Sequence, residues 1–137
     1  MIVAILDSAV LSMFTKDVSR LRSLFILPLY IAAQNLIEFW YVCTRPLNRN
    51  GLGLSTSETE KELAQMEALL LLLPEVPAIF PEWRRIVTAH AVSGVDVFDA
   101  RLVAVMRVYG IKDLLTFNTA DFTRYSALNV VDPSSVR

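Results

Sequence analysis

One cysteine and one histidine are the only thiol and imidazole side chains in 137 residues. Cys43 therefore has no partner for an internal disulfide, and a cysteine-based zinc site is excluded. A histidine-rich metal site is excluded too, and a Ser-His-Asp hydrolase would hang on His90 alone. An excess of positive charge is also missing: 13 basic residues face 14 acidic ones, for a net charge of −1. A nucleic-acid binder of this balance must rely on local basic clusters, or on cations that bridge phosphate to acid. No apolar run suits a membrane span. The best stretch, residues 24–41, contains Pro28, Gln34, Asn35 and Glu38, and the run at 68–73 is far too short. The segment from Met1 to Asp7 has no basic residues ahead of its apolar ones, so no secretory signal is expected and the chain is expected in the cytoplasm.

What is present is apolar bulk. Hydrophobic residues make up 54% of the chain, above the roughly 45–50% usual for a soluble domain, which predicts a thick core with apolar surface left over for a partner. The length suits a single domain over residues 1–137. Residues 2–6 read as a short buried strand, and residues 8–24 as one or two short helices. A second buried strand is expected near 25–31, then a helix over 33–44 that stops before Pro46. Ser55 and Glu58 have capping-box spacing and open a helix that should run to Leu73. Pro81 stands where a helix accepts its first residue, and Trp83, Ile86, Val87 and His90 follow along one apolar face. A further helix is expected over 99–109, closed by Gly110. A strand over 113–117, a short helix over 119–125 and a last strand over 129–131 complete the pattern. Strands separated by helices give an α/β fold of three layers, a central parallel sheet of four or five strands flanked by helices.

In such a sheet, ligands gather beyond the carboxyl ends of the strands. Asp7 follows the first strand, and Asn118 and Asp121 follow the strand at 113–117; Asp99 opens a helix and Glu38 sits inside one. Brought together, these carboxylates repel, and a divalent cation is the ordinary remedy. All-oxygen donors select magnesium or manganese, and the chemistry they support is hydrolysis of a phosphodiester. Capping offers another reading: Asp7 and Asp99 as N-caps, and Asn118 with Asp121 as a cap and its acid. Glu38 escapes that reading because it lies mid-helix. Its neighbours Leu36, Ile37, Phe39, Trp40 and Tyr41 make an ionised carboxylate costly unless it binds metal or pairs with Arg45 or another arginine.

These residues resemble a known family. Ile5-Leu6-Asp7-Ser8, then Gln34 to Trp40 ending in Thr44-Arg45-Pro46, are similar to PIN domains. So are Asp99 to Ala104 and the run from Leu114 to Phe122, of which Thr116 to Phe122 is the most specific part. The resemblance covers nearly the whole chain and points to VapC-type toxins of toxin–antitoxin pairs. It implies a PIN-like fold and a Mg2+- or Mn2+-dependent endoribonuclease that leaves a 5′-phosphate and a 3′-hydroxyl. A homodimer and a small antitoxin partner are implied as well. Within that pattern Asp7, Glu38 and Asp99 are the core acids: Asp7 and Asp99 as direct metal ligands, Glu38 directly or through water. Asn118 and Asp121 fall at the variable fourth and fifth positions, and Thr116 would offer its hydroxyl to a ligand water or to phosphate. Ala9 stands where many relatives carry Asn or Ser.

Of the arginines, Arg84, Arg85, Arg45, Arg49, Arg101 and Arg124 could meet phosphate, and Arg45 and Arg101 are the two favoured for it. His90 and Cys43 are expected to be packing residues. The rival function is a PIN fold that binds RNA or protein without cutting, its site eroded at Ala9 and Asn118. A receiver-like signalling domain fits poorly, since neither an acidic pair at the first strand nor a lysine after a late strand is present.

Overall fold

The computed structural model describes residues 4–6 and 29–135. Five short strands, β1 (Ala4–Leu6), β2 (Leu29–Ala32), β3 (Leu71–Leu73), β4 (Asp113–Leu115) and β5 (Asn129–Val131), form one sheet in the order β3-β2-β1-β4-β5. Every pairing is parallel. Among the described residues four α-helices accompany them: α1 (Ala33–Thr44), α2 (Thr56–Leu69), α3 (Ile79–Ala89) and α4 (Asp96–Tyr109). The expected helices over residues 8–24 lie outside the described residues.

Alternation along the strands separates two apolar layers. Leu29 and Ile31 of β2, Leu115 of β4 and Val131 of β5 pack with Phe39 and Cys43 of α1 and Met66 of α2. Tyr30 and Ala32, Leu114 and Val130 point the other way, into the core that α3 and α4 supply through Ile86, Val103 and Met106. The result is helices, sheet and helices in three layers, as the strand–helix alternation requires.

Local signals account for most boundaries. The α1 span agrees with the expected one, because Arg45, in extended conformation before Pro46, cannot continue the helix. Ser55 Oγ accepts from Glu58 N at 3.0 Å while Ser55 N donates to Glu58 Oε1 at 3.2 Å, the full capping box. Gly110 ends α4 at φ 69°, as expected of a C-cap glycine.

Several boundaries differ. The second strand is described from Leu29 to Ala32, and its expected start at residues 25–28 lies outside the described residues. The helix from Ser55 ends at Leu69, and Leu71–Leu73, expected to be helical, pair with β2 as an edge strand. Leucine suits either state, and Leu71 and Leu72 stay exposed at the edge, so no periodicity marks the change. The helix α3 begins at Ile79, which puts Pro81 in its first turn but not at its first position. The helix α4 begins at Asp96, three residues before the expected Asp99. The β4 strand ends at Leu115, although Thr116 N still donates to Val131 O at 3.0 Å, and residues 119–122 form a 3-10 turn in place of a longer helix.

Candidate active site

The order of the sheet reverses at β1: the chain builds β2 and β3 to one side and β4 and β5 to the other. Leu6 and Leu115 are register partners across that reversal, so β1 and β4 end side by side. This is the topological switch point at which open α/β sheets bind ligands. The residue after Leu6 in the chain is Asp7, and the residue after Leu115 is Thr116. Asp7 itself lies outside the described residues.

Thr116 is fully buried, and its Oγ1 accepts from Asn118 N at 3.0 Å. That bond folds the chain sharply at the end of β4 and carries Asn118 to the surface. Asn118 precedes the 3-10 turn Thr119–Phe122, yet its side chain makes no cap hydrogen bond; only its carbonyl accepts, from Asp121 N at 3.1 Å. The expected cap pair is therefore held by backbone, and the Asn118 amide and the exposed Asp121 carboxylate are not spent on capping each other.

Asp99 is half-buried in the first turn of α4. It does not cap that helix, because Val95 occupies the N-cap position and makes no side-chain cap bond. Two acids, Asp96 and Asp99, thus lie in the turn where the helix dipole favours negative charge. Asp96 meets Arg124 at 3.4 Å between half-exposed side chains. Burial, joined by the Asp99 and Asp96 charges, pushes the Tyr125 hydroxyl above its usual range despite Arg124.

Glu38 lies in α1 and is exposed, which corrects the expectation of a carboxylate stranded on an apolar helix. The solvated side of α1 is itself apolar, with Ile37 70% and Tyr41 62% exposed, and such a pattern cannot be told from burial by composition. Arg45 lies over the Tyr41 ring, 5.1 Å from its centroid, and donates to Asn50 O at 2.6 Å. Arg101 of α4 donates to Glu75 Oε2 at 2.6 Å and to Gln34 Oε1 at 3.2 Å, and Gln34 Nε2 donates to Phe98 O at 2.7 Å. The sequence did not single out Gln34 or Glu75 for this role. Nothing local could have done so, because the partners come from three distant segments.

Among the described residues, no three Asp, Glu, His or Cys side chains converge as a metal-binding group. Glu38, Asp99 and Asp121 are thus not a complete site by themselves. Asp99, Asp121 and Asn118 nevertheless carry oxygen donors, the kind that hard divalent cations take. The softer donors are engaged elsewhere, as expected. Cys43 is buried in the layer of α1 and α2, and desolvation, with Glu62 nearby, pushes its thiol up to about 11. His90 ends α3 with its ring edge-on to Tyr125, centroids 5.2 Å apart. With Cys43 and His90 so placed, the oxygen donors that remain suit a hard divalent cation.

The PIN domain family model matches residues 4–128, and the chain belongs to that family. Solved structures of the same fold include toxin–antitoxin proteins. VapBC2 from Rickettsia felis, bound to a DNA fragment from its promoter, matches at TM-score 0.71 with 15% identity, over 95% of this chain and 98% of that one. VapBC-1 from Haemophilus influenzae matches at 0.68, also with 15% identity, over 96% and 98%. VapC20 from Mycobacterium tuberculosis, a toxin that cleaves the sarcin-ricin loop, matches at 0.66 with 15% identity, over 89% and 95%. Among curated proteins no sequence match is found.

Proposed function

We propose that this chain is a Mg2+- or Mn2+-dependent endoribonuclease that acts as the toxin of a toxin–antitoxin pair in the cytoplasm. One observation carries the reading. The reversal of strand order sets the ends of β1 and β4 side by side, and the chain continues from them into Asp7 and Thr116. Membership in the PIN domain family and fold neighbours that include VapBC toxin–antitoxin proteins support it.

In this reading Asp7 and Asp99 hold the cation, with Glu38 bound directly or through water. When bound, a divalent cation supplies an acidified water and Lewis-acid stabilisation of the charged phosphate. Asn118 and Asp121 accept hydrogen bonds from water at the β4 end, and Thr116 holds the turn that presents them. Arg45 and Arg101 are the arginines this reading gives to phosphate; Arg101, two residues from Asp99 in α4, would exchange its bonds to Glu75 and Gln34 for it. Arg45 is already committed to Tyr41 and Asn50. An antitoxin or a second copy of the chain would find apolar surface in a cleft of about 330 Å3 that includes Phe80, Trp83 and Phe98, with Phe80 64% and Phe98 60% exposed.

A cleavage assay on transfer RNA and on structured RNA, with manganese or with chelator, tests the proposal. The wild type should cut only with manganese, and Asp7→Ala or Asp99→Ala should lower cleavage by at least about 100-fold. A folded wild type that neither cuts RNA nor takes up manganese by calorimetry would replace this reading with that of an RNA- or protein-binding module.

A further inference from the structure

We propose that Gln34 is a positioning residue of the candidate active site, its carboxamide tying the helix that carries Glu38 to the turn that carries Asp99. The inference rests on the metal-dependent reading above, but it concerns hydrogen bonds seen at both ends of one side chain. Nε2 donates to Phe98 O at 2.7 Å, and Oε1 accepts from Arg101 at 3.2 Å. Phe98 and Arg101 flank Asp99 within one turn of α4, so the amide grips that turn on both sides of the carboxylate. Gln34 is in the first turn of α1, and Glu38, four residues on, lies one turn further along the same face. The two acids therefore sit on helices joined by a single planar group.

The chemistry of that group is specific. The Phe98 carbonyl can take only a donor and the Arg101 guanidinium only an acceptor, and among side chains of this length only a carboxamide offers both. Glutamate in its place would keep the Arg101 bond but set a lone pair against the Phe98 carbonyl. Methionine would match the length and make neither bond. Arg101 is held from its far side by Glu75 at 2.6 Å, so the chain of contacts runs from the loop after β3, through α4, to α1.

Gln34→Glu and Gln34→Met in the full chain test this, beside the wild type. Both variants should melt close to the wild type and keep KM for RNA, while kcat falls about tenfold and the manganese concentration for half-maximal activity rises about tenfold. Calorimetry with manganese alone should show the same weakening. Amide hydrogen exchange over residues 98–102 should quicken, since the turn has lost its tether. If the wild type cuts RNA and both variants match it in kcat, manganese dependence and exchange, the tether is irrelevant and the inference fails while the nuclease stands. If KM rises and kcat is kept, Gln34 touches substrate and positions nothing. If the wild type itself neither binds manganese nor cuts, the nuclease reading fails first and takes this one with it.

Discussion

A methyl group on Gly51 would lie 1.8 Å from the carbonyl oxygen of Arg45, a distance no backbone atom can yield without moving the loop. That carbonyl already accepts from Gly53 N at 2.9 Å, and the Arg45 guanidinium donates to Asn50 O, so the turn after α1 is closed from both sides. Gly51→Ala should therefore cost about 1–3 kcal/mol, read as a lower midpoint in urea unfolding. Glu82 offers a test in pH. Hydrogen bonding to Arg85, with Arg85 and Arg107 charges beside it, outweighs desolvation and holds its carboxyl below the ordinary 4.5. A carboxyl lowered in the folded state stabilises the fold above its unfolded value and loses that contribution as pH falls through the folded one. Glu82→Gln should thus lower stability by up to about 1 kcal/mol at pH 7, and the difference should vanish below the depressed folded value. Equal losses at pH 7 and in acid strong enough to protonate the folded Glu82 carboxylate would assign the effect to packing.

At the scale of elements, boundaries set by local stereochemistry were legible. Pro46 stops α1, Gly110 in the left-handed region closes α4, and the Ser55–Glu58 box opens α2. Ser55→Ala removes the acceptor for Glu58 N and should cost about 1 kcal/mol, seen as a lower melting temperature. Boundaries set by pairing between distant segments were not legible. Leu71–Leu73 becomes a strand because β2 is there to receive it, and three leucines carry no period of their own. Asp96 and Asp99 stand three residues apart, either one a plausible opening for α4, and only the folded chain shows that Asp99 is inside the helix. The same limit applies to the candidate site. Asp7 and Asp121 could be named from their positions after strands, but Gln34, Glu75 and Arg101 meet across 26 and 67 residues, beyond any spacing rule. Glu38 was singled out by an argument from burial that its exposure removes, and its place in the proposal now rests on the family pattern and on its helix.

For the molecule as a whole, the parallel order β3-β2-β1-β4-β5 makes function and stability oppose one another at the strand ends. Burying apolar side chains on both faces of the sheet stabilises the fold, while the proposed site asks the same chain to hold several carboxylates near one point. Like charges gathered there cost stability until a cation offsets them. Manganese at about 100 times its dissociation constant should therefore add roughly 2.7 kcal/mol, which for a domain of this size raises the melting temperature by about 5–10 °C. Asp99→Asn keeps the shape of the side chain and removes one charge, so it should melt at or above the metal-free wild type and respond far less to manganese. Differential scanning calorimetry across a manganese titration separates the possibilities. A wild type indifferent to the ion, or an Asp99→Asn variant that shifts as far as the wild type does, would mean that Asp99 holds no metal and that its charge serves only the dipole of α4.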